Sequence, residues 1–476
     1  MKNKFYTTTP IYYANAQPHI GHAYTTIATD VLARFYRGQK TKTFFLTGMD
    51  EHGAKIAQKA EEENKTPQEL VDEVAESFLR LWRELGIKYD NFIRTTNPEH
   101  KKAIQIALQK LYNQGIIYKG EYEGMYCVGC EQFKNESDLV DGKCPDHNKE
   151  PEVMKEESYM MKMSDKQDAL IKKIENDEFK ITPEKYKKEI LSFLNNNKLE
   201  ELSISRKNVK WGIPLPFDES HTAYVWFDAL LNYLTGLGWT GDSNKLPDFW
   251  PADVQLIGKD ILRVHATIWP IMLMHLGIEL PKQLFTHGHI LSDGKKMSKT
   301  LGNVISIDEM LEKFGTDATR YLLLSAGTFG EDIDITMERM IEKYNADLAN
   351  GLGNLVSRVV TLSNNFNFKI LNFNSILNDE IFNEKTTKLI EQLKFDQVLK
   401  DIWKIVQDSN KYIEETKPWE LAKNNKKEFE KVMTKLTADL YFIAELLEPF
   451  MSETSEKIKQ QLKTKEKIIL FERIKQ

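Results

Sequence analysis

Two histidines, His19 and His22, stand three residues apart in PIYYANAQPHIGH (residues 10–22), where an extended run gives way to a helical one. Imidazoles at that spacing offer two chemistries. They hold a metal if a third ligand joins them, and Asp50, Glu51 or His52 in MDEHG could supply it. Alternatively they donate to a phosphate, because a helix N-terminus already presents unpaired amides and a positive dipole end to an anion. Taken alone, two such histidines are equally well explained by local capping. Gly21 between them would let a ring or sugar approach the backbone. Far downstream, LSDGKKMSKTLGN (291–303) sets Lys295, Lys296 and Lys299 around Ser298 on a glycine-containing loop. Such a loop is ordinarily a solvated turn. Paired with PHIGH it favours phosphate, since lysines clamp a polyphosphate during transfer but compete with a catalytic zinc.

A second chemistry is local. All three cysteines fall within residues 127–144, and Cys127, Cys130, Cys144 and His147 read C-x2-C-x13-C-x2-H. That is a four-ligand tetrahedral zinc set with no open position, hence structural rather than catalytic.

These groups need elements to hold them. NKFYTTTPIYY reads as a strand, residues 21–38 carry apolar side chains at helical spacing, and TKTFFLTGMDEHG is a second buried strand ending in a loop. Strand, helix, strand makes a βαβ unit and a parallel sheet, with ligand chemistry at the carboxyl ends of its strands. Residues 66–115 look helical. The α/β pattern breaks for about 100 residues around the cysteines and resumes near AYVWFDALLNYL, which predicts an insertion in an α/β domain. From about residue 336 the pattern is helical with heptad-like spacing, predicting a terminal bundle. In it Asn350, Asn354 and Arg358 recur every four residues as a polar stripe. Gly351 and Gly353 weaken that helix by about 1 kcal/mol each, which is easier to understand if another surface comes close. The tail KIILFERIKQ is apolar enough to pack back on the body.

A chain of 476 residues exceeds one compact core, and its formal charge of −6 argues against a protein that coats nucleic acid through a basic field. The opening MKNKFY lacks a signal peptide's apolar region and no run approaches a membrane span, so a cytoplasmic protein is expected.

PHIGH together with KMSK resembles the signature pair of the class I aminoacyl-tRNA synthetases. The likeness to their methionyl family extends over essentially the whole chain, through PIYYANAQPHIGHAY, TGMDEHG, YVWFDALLNY, IGKDI, HATIWP and KPWELA. Two departures are visible. Thr300 stands where the second signature usually ends in serine, which keeps the hydroxyl, and Leu230 stands where the family often has proline. The resemblance implies a doubly wound, Rossmann-like sheet with a zinc-bearing insertion and a helical anticodon domain. The implied reaction activates L-methionine with ATP and Mg²⁺ and transfers it to initiator and elongator methionine tRNA. His19, His22, Lys296 and Lys299 would stabilise the reacting phosphates. Gly21, Gly258 and Asp260 would meet the nucleotide and its ribose, and His287 and Ile290 its adenine.

A methionine pocket should be rich in rings, because a thioether is drawn to aromatic edges. Tyr13, Trp226, Tyr233 and Trp269 are the ring suppliers, with Ile11, Ala229, Leu230 and His265 around them and Asp50 for the ammonium. On spacing alone these tryptophans read as core, and the resemblance is what moves them into a site. By the same resemblance Asn350, Asn354, Arg358 and Trp419 would recognise the anticodon. The implied boundaries are 1–115 and 216–285 for the catalytic halves, 116–215 for the insertion, 286–340 for the KMSK loop and stem-contact linker, and 341–476 for the bundle. The insertion is too short for the editing domain of the leucine, isoleucine and valine enzymes. A monomer is expected, because no basic barrel follows the bundle. The alternatives are another adenylyl-transferring member of the superfamily, such as the cysteine enzyme or a small nucleotidylyltransferase, and a non-enzymatic RNA-binding relative.

Overall fold

The computed structural model describes residues 3–129, 132–134, 139–145, 147–207, 209–297, 303–370 and 381–475. Cys130, Ser298, Lys299 and Thr300 lie outside the described residues.

Six strands form one parallel sheet: β1 (Lys4–Tyr13), β2 (Lys42–Asp50), β3 (Asn91–Arg94), β4 (Lys180–Thr182), β5 (Val254–Gly258) and β6 (Gln283–His287), in the order β3-β2-β1-β5-β6-β4. The order reverses at β1, whose neighbours are β2 on one side and β5 on the other. Ligands bind at such a switch point, beyond the carboxyl ends of the strands. β1 is buried over most of its length, so its run of Tyr and Thr suits a central strand covered on both faces. Pro10 cannot donate to a ladder, and the β1–β2 register slips between Thr8 and Ile11 to accommodate it. That bulge sets Tyr13 opposite Asp50, at the mouth of the sheet.

The helix α1 (Ile20–Gly38) follows β1 and buries most of its surface. Its Asp30 receives Arg320 Nη2 at 2.7 Å. Arg320 is itself buried and also donates to the carbonyls of Leu85, Pro449 and Phe450, tying the catalytic body to the last helices.

The insertion is antiparallel. Ile117–Cys127 pairs with Glu152–Met161 from Ile117 opposite Met161 to Tyr126 opposite Glu152, and the cysteine loop caps its far end. The range 116–215 does not all belong to it. β4 and its flanking helices, Gln167–Glu175 and Glu184–Asn196, return to the main body, where β4 extends the parallel sheet beside β6. KIT is three residues in a charged stretch, too short for a periodicity signal, and only pairing with β6 makes it a strand.

After Ile333–Asp334 every described element is helical. The tail packs back as expected: Asn345 brackets the backbone of Ile474 through both side-chain atoms, and Phe471 meets Tyr344.

Candidate active site

His19 is the N-cap of α1, one residue before the helix, and His22 occupies its first turn. The Gly21 amide donates to His19 Nδ1 at 3.1 Å, and the His19 amide donates to His22 Nδ1 at 3.2 Å. A backbone N–H can only donate, so both Nδ1 atoms are acceptors. The proton of each neutral ring therefore sits on Nε2, pointing away from the helix end. The rings stack with centroids 3.6 Å apart, backed by Tyr12 and Phe78. Burial pulls both below the ordinary histidine range, His22 further because it is the more deeply set, with His19 beside it adding to the shift; at His19, which is exposed, Asp260 opposes it. The capping and phosphate readings thus coincide: the caps use Nδ1 and leave two neutral Nε2–H donors. A Cβ at Gly21 would stand 3.0 Å from His19 Cε1, so the glycine makes room for this ring rather than for a ligand.

Among the described residues neither histidine belongs to a group of three metal-ligating side chains, and two of the three candidate third ligands are engaged elsewhere. Glu51 pairs with Arg94 and Thr96, and burial raises its pKa against their pull. His52 Nδ1 faces Asp228 at 2.6 Å.

At the end of β5, Gly258 leads into the turn Lys259–Ile261, where a Cβ on Gly258 would strike Asp260 Oδ1 at 2.5 Å. Asp260 is the acidic neighbour felt by His19, His265, His287 and His289. His287 ends β6. Its Nδ1 meets the Gly288 carbonyl at 2.7 Å and its Nε2 meets Thr25 Oγ1 of α1 at 2.7 Å, so its nitrogens are spent on the protein. Ile290 opens a hairpin, Ile290–Ser292 with Lys295–Lys296, in which Leu291 faces Lys296. Asp293 and Gly294 both have positive φ (51° and 71°), as the two-residue hairpin turn requires. Lys295 and Lys296 are exposed. His289 links the signatures: burial and the ammonium groups of Lys259 and Lys296 lower its pKa, while Asp260 and Asp332 oppose. Lys296 and His19 therefore share one electrostatic neighbourhood through Asp260 and His289. Lys259 pairs with Asp332, which also accepts from the His289 amide and so braces the hairpin's base. Sequence reasoning passed over His289, Lys259 and Asp332, and no spacing signal marks them.

Of the residues expected around methionine, Tyr233, His265 and Trp269 are in mutual contact. Tyr233 Oη lies 2.7 Å from His265 Nε2, and His265 Nδ1 lies 3.0 Å from the Ile261 carbonyl, which makes Nδ1 the protonated nitrogen. Burial drives the His265 pKa down to about 4. His265 sits in a π-helical turn, Val264–Ile268, that runs into the helix Trp269–Leu276. Trp269 packs on Tyr233 at 5.5 Å and donates to Gln255. Tyr233, Trp269, Ala229 and Leu230 are buried, whereas Ile11, Tyr13 and Trp226 keep partial access. The Trp226 indole N–H is buried without a hydrogen-bond partner among the described residues. Asp50 is buried at the end of β2.

In the insertion, the ligand atoms of Cys127, Cys144 and His147 lie within 4.8 Å of one another. A Cβ on Gly129 would strike the His147 ring at 2.4 Å, so the knuckle is shaped to admit that imidazole. This donor set fits zinc. Lys55 Nζ donates to the Gly129 carbonyl and ties the knuckle to the helix that follows MDEHG.

In the bundle, Asn350, Asn354 and Arg358 line a groove of about 390 Å³ with Trp403, Gln407, Asn410 and Glu414. Arg358 pairs with Glu414 at 2.7 Å. Here the helix is π-wound over Tyr344–Gly353. The surface that approaches the glycines is internal: Gly351 faces Trp403 and Val406, and Gly353 faces Phe471. Trp419 is not among the groove's lining residues, and stands exposed on Pro418–Asn424 just beyond the helix that carries Glu414.

Sheet order, paired signatures and helical bundle together define a class I aminoacyl-tRNA synthetase. The family model described as tRNA synthetases class I (M) matches residues 5–150 and 137–360, and that of the anticodon-binding domain of tRNA ligase matches 380–475. Methionine–tRNA ligase of Clostridium acetobutylicum is 48% identical over 474 residues, covering 97% of this chain and 73% of its own length. The Bacillus subtilis enzyme of that name is 44% identical over 97% of this chain and 72% of its own. The structure of Mycobacterium tuberculosis methionyl-tRNA synthetase in complex with methionyl-adenylate superposes with a TM-score of 0.89 at 36% identity, covering 96% of this chain and 93% of that one. The chain belongs to the methionyl-tRNA synthetase family. No helix among the described residues is long and apolar enough to cross a membrane.

Proposed function

We infer that the chain activates L-methionine with ATP to methionyl-adenylate and passes the aminoacyl group to the 3′ end of methionine tRNA, for initiation and elongation. The observation that carries the mechanism is the pair of Nε2–H donors at the mouth of α1, joined electrostatically through Asp260 and His289 to Lys296. In the reaction a methionine carboxylate oxygen attacks the α-phosphorus, and the bond to the bridging oxygen of pyrophosphate breaks. The protein supplies no covalent nucleophile; it aligns two anions and spreads charge on a five-coordinate phosphorus.

Neutral His19 and His22 would donate to phosphate oxygens without titrating near neutral pH. Lys296 and Lys299 would neutralise the departing pyrophosphate. Asp260, backed by Gly258, would accept from ribose hydroxyls. His287 and Ile290 would wall the adenine, since the nitrogens of His287 are already engaged. Asp50 would hold the substrate ammonium while Tyr13, Trp226, Tyr233 and Trp269, with Ile11, Ala229, Leu230 and His265, surround the side chain. Mg²⁺ carried in by ATP would screen its phosphates when bound. Cys127, Cys130, Cys144 and His147 would hold one structural zinc, which stabilises the insertion. Asn350, Asn354 and Arg358 would read anticodon bases, with Trp419 on the next helix as a stacking ring. The setting is the cytoplasm, where translation supplies the tRNA.

Methionine-dependent pyrophosphate exchange tests the reading, followed by charging of methionine tRNA. Exchange driven by cysteine and not by methionine, or RNA binding with no adenylate formed, would overturn it.

A further inference from the structure

One buried carboxylate beneath the amino-acid pocket is used by none of these steps. Asp228, 1% exposed, sits on the short helix Val225–Leu230, between Trp226 and the Ala229–Leu230 pair. Its Oδ2 lies 2.6 Å from His52 Nδ1 and its Oδ1 lies 2.7 Å from His100 Nε2. A carboxylate only accepts, so both imidazoles donate to it. The second nitrogen of His100 lies 2.7 Å from Thr235 Oγ1, on the next turn, Asn232–Thr235, which carries Tyr233. His52 follows Asp50 by two residues, and Glu51 between them is pinned by Arg94, Thr96 and the Thr95 hydroxyl. Three separate pieces of wall therefore hang on one carboxylate: the turn with Asp50, the helix with Trp226, and, through His100, the turn with Tyr233. His100 belongs to the helix Pro98–Asn113 and anchors the assembly from outside the pocket.

Burial alone would raise the Asp228 pKa, yet the two imidazoles hold it down at about 2, so the group stays ionised across the working range of pH. A buried ionic cluster is a weak source of stability compared with apolar packing of the same volume. What it does supply is direction. Two charge-assisted bonds from separate segments fix both oxygens, and with them the spacing of everything attached.

We propose that Asp228 is a positioning residue for the amino-acid pocket: by holding His52 and His100 it sets the distance between Asp50, which takes the substrate ammonium, and the rings of Trp226 and Tyr233, which take the thioether side chain. The proposal rests on the methionine-pocket reading above. Both oxygens of Asp228 are taken by imidazoles, and among the described residues no hydrogen bond joins its side chain to the nucleotide half of the site.

The test uses exchange kinetics of the full chain, with methionine and ATP varied separately. Asp228→Asn puts an amide donor against an imidazole donor. It should raise KM for methionine about tenfold while KM for ATP stays within about twofold. His52→Ala should do the same. His52→Asn, whose amide N–H falls near the lost Nδ1, should recover most of the methionine affinity. A merely structural role would move both KM values together. That outcome, a fall in kcat with KM for methionine unchanged, or His52→Asn as poor as His52→Ala overturns the proposal. If Asp228→Asn does not fold, the two His52 variants decide. A parent protein that fails to exchange with methionine at all would sink the functional reading instead.

Discussion

Gly21→Ala should separate activity from stability. A Cβ at Gly21 would stand 3.0 Å from His19 Cε1 and 3.1 Å from Nδ1. To reach an ordinary carbon contact near 3.5 Å, the ring must retreat by about 0.5 Å. It is stacked on His22 and bonded to the Gly21 amide, so the retreat lengthens the bond that fixes its tautomer and swings Nε2 off its aim. A misplacement of about 1 Å costs a reaction roughly hundredfold, and loss of one preorganised donor costs about as much. Half that displacement should lower kcat for methionine-dependent exchange by about ten- to a hundredfold. Stability has opposing terms: alanine gains about 1 kcal/mol in a helix, and the weakened cap loses a similar amount. The thermal midpoint should move by no more than about 2 °C. The assay pairs exchange kinetics with a melting curve on the same preparation. Exchange within twofold of the parent would show that the ring need not lie where the glycine lets it lie, and the phosphate role argued for His19 would go with it.

Acid should weaken the fold before it reaches the carboxylates. His265 titrates near 4 when folded and near 6.5 when unfolded, so the unfolded state takes up protons first. Its contribution is complete above pH 6.5 and falls away as pH drops toward 4, by up to about 3 kcal/mol, with His22 and His287 adding in the same direction; the urea midpoint should decline steadily between pH 7 and 5. Arg320→Ala takes the guanidinium donor from three buried carbonyls while Asp30 keeps Arg34 and the Lys88 amide, and should cost about 2–4 kcal/mol in chemical denaturation. Cys144→Ser should abolish bound zinc by elemental analysis and expose the hairpin 117–161 to protease, while exchange falls less than about tenfold because Lys55, which ties the knuckle to the body, is not one of the residues proposed for the active site. Asn354→Ala should reduce tRNA charging by about ten- to a hundredfold and leave exchange unchanged, since every residue lining the groove belongs to the bundle and none to the strand ends of the sheet.

Much of the proposed site was nominated from short contiguous strings that carry its chemistry. PHIGH, the cysteine spacing and the lysine loop name residue types at offsets that only a few structures can use. The DG step in LSDGKK marks the hairpin turn as plainly as any pair does. Trp226, Tyr233, His265 and Trp269 entered the proposed pocket only through family resemblance, because a ring at helical spacing looks the same in a core as in a pocket. His289, Lys259 and Asp332 carried no mark: an imidazole, an amine and a carboxylate become a unit only when β5, β6 and the segment at 331–334 are brought side by side. Asp228 lay inside a recognised string, YVWFDALLNY, and its function was still invisible, since both of its partners arrive from other elements.

By itself the sequence determined the local conformations: the strand that ends at Tyr13, the cap that turns histidine nitrogens outward, the tight lysine hairpin, and the helical character of everything after residue 336. These depend on torsional preference and on hydrogen bonds between near neighbours. The tertiary structure decided which of those pieces meet. It gave KIT to the main sheet, turned Gly351 toward Trp403, buried Arg320 between two domains and set Asp260 among four imidazoles. Long-range electrostatics and desolvation depend on distance in space, and a linear chain does not contain that distance until it has folded.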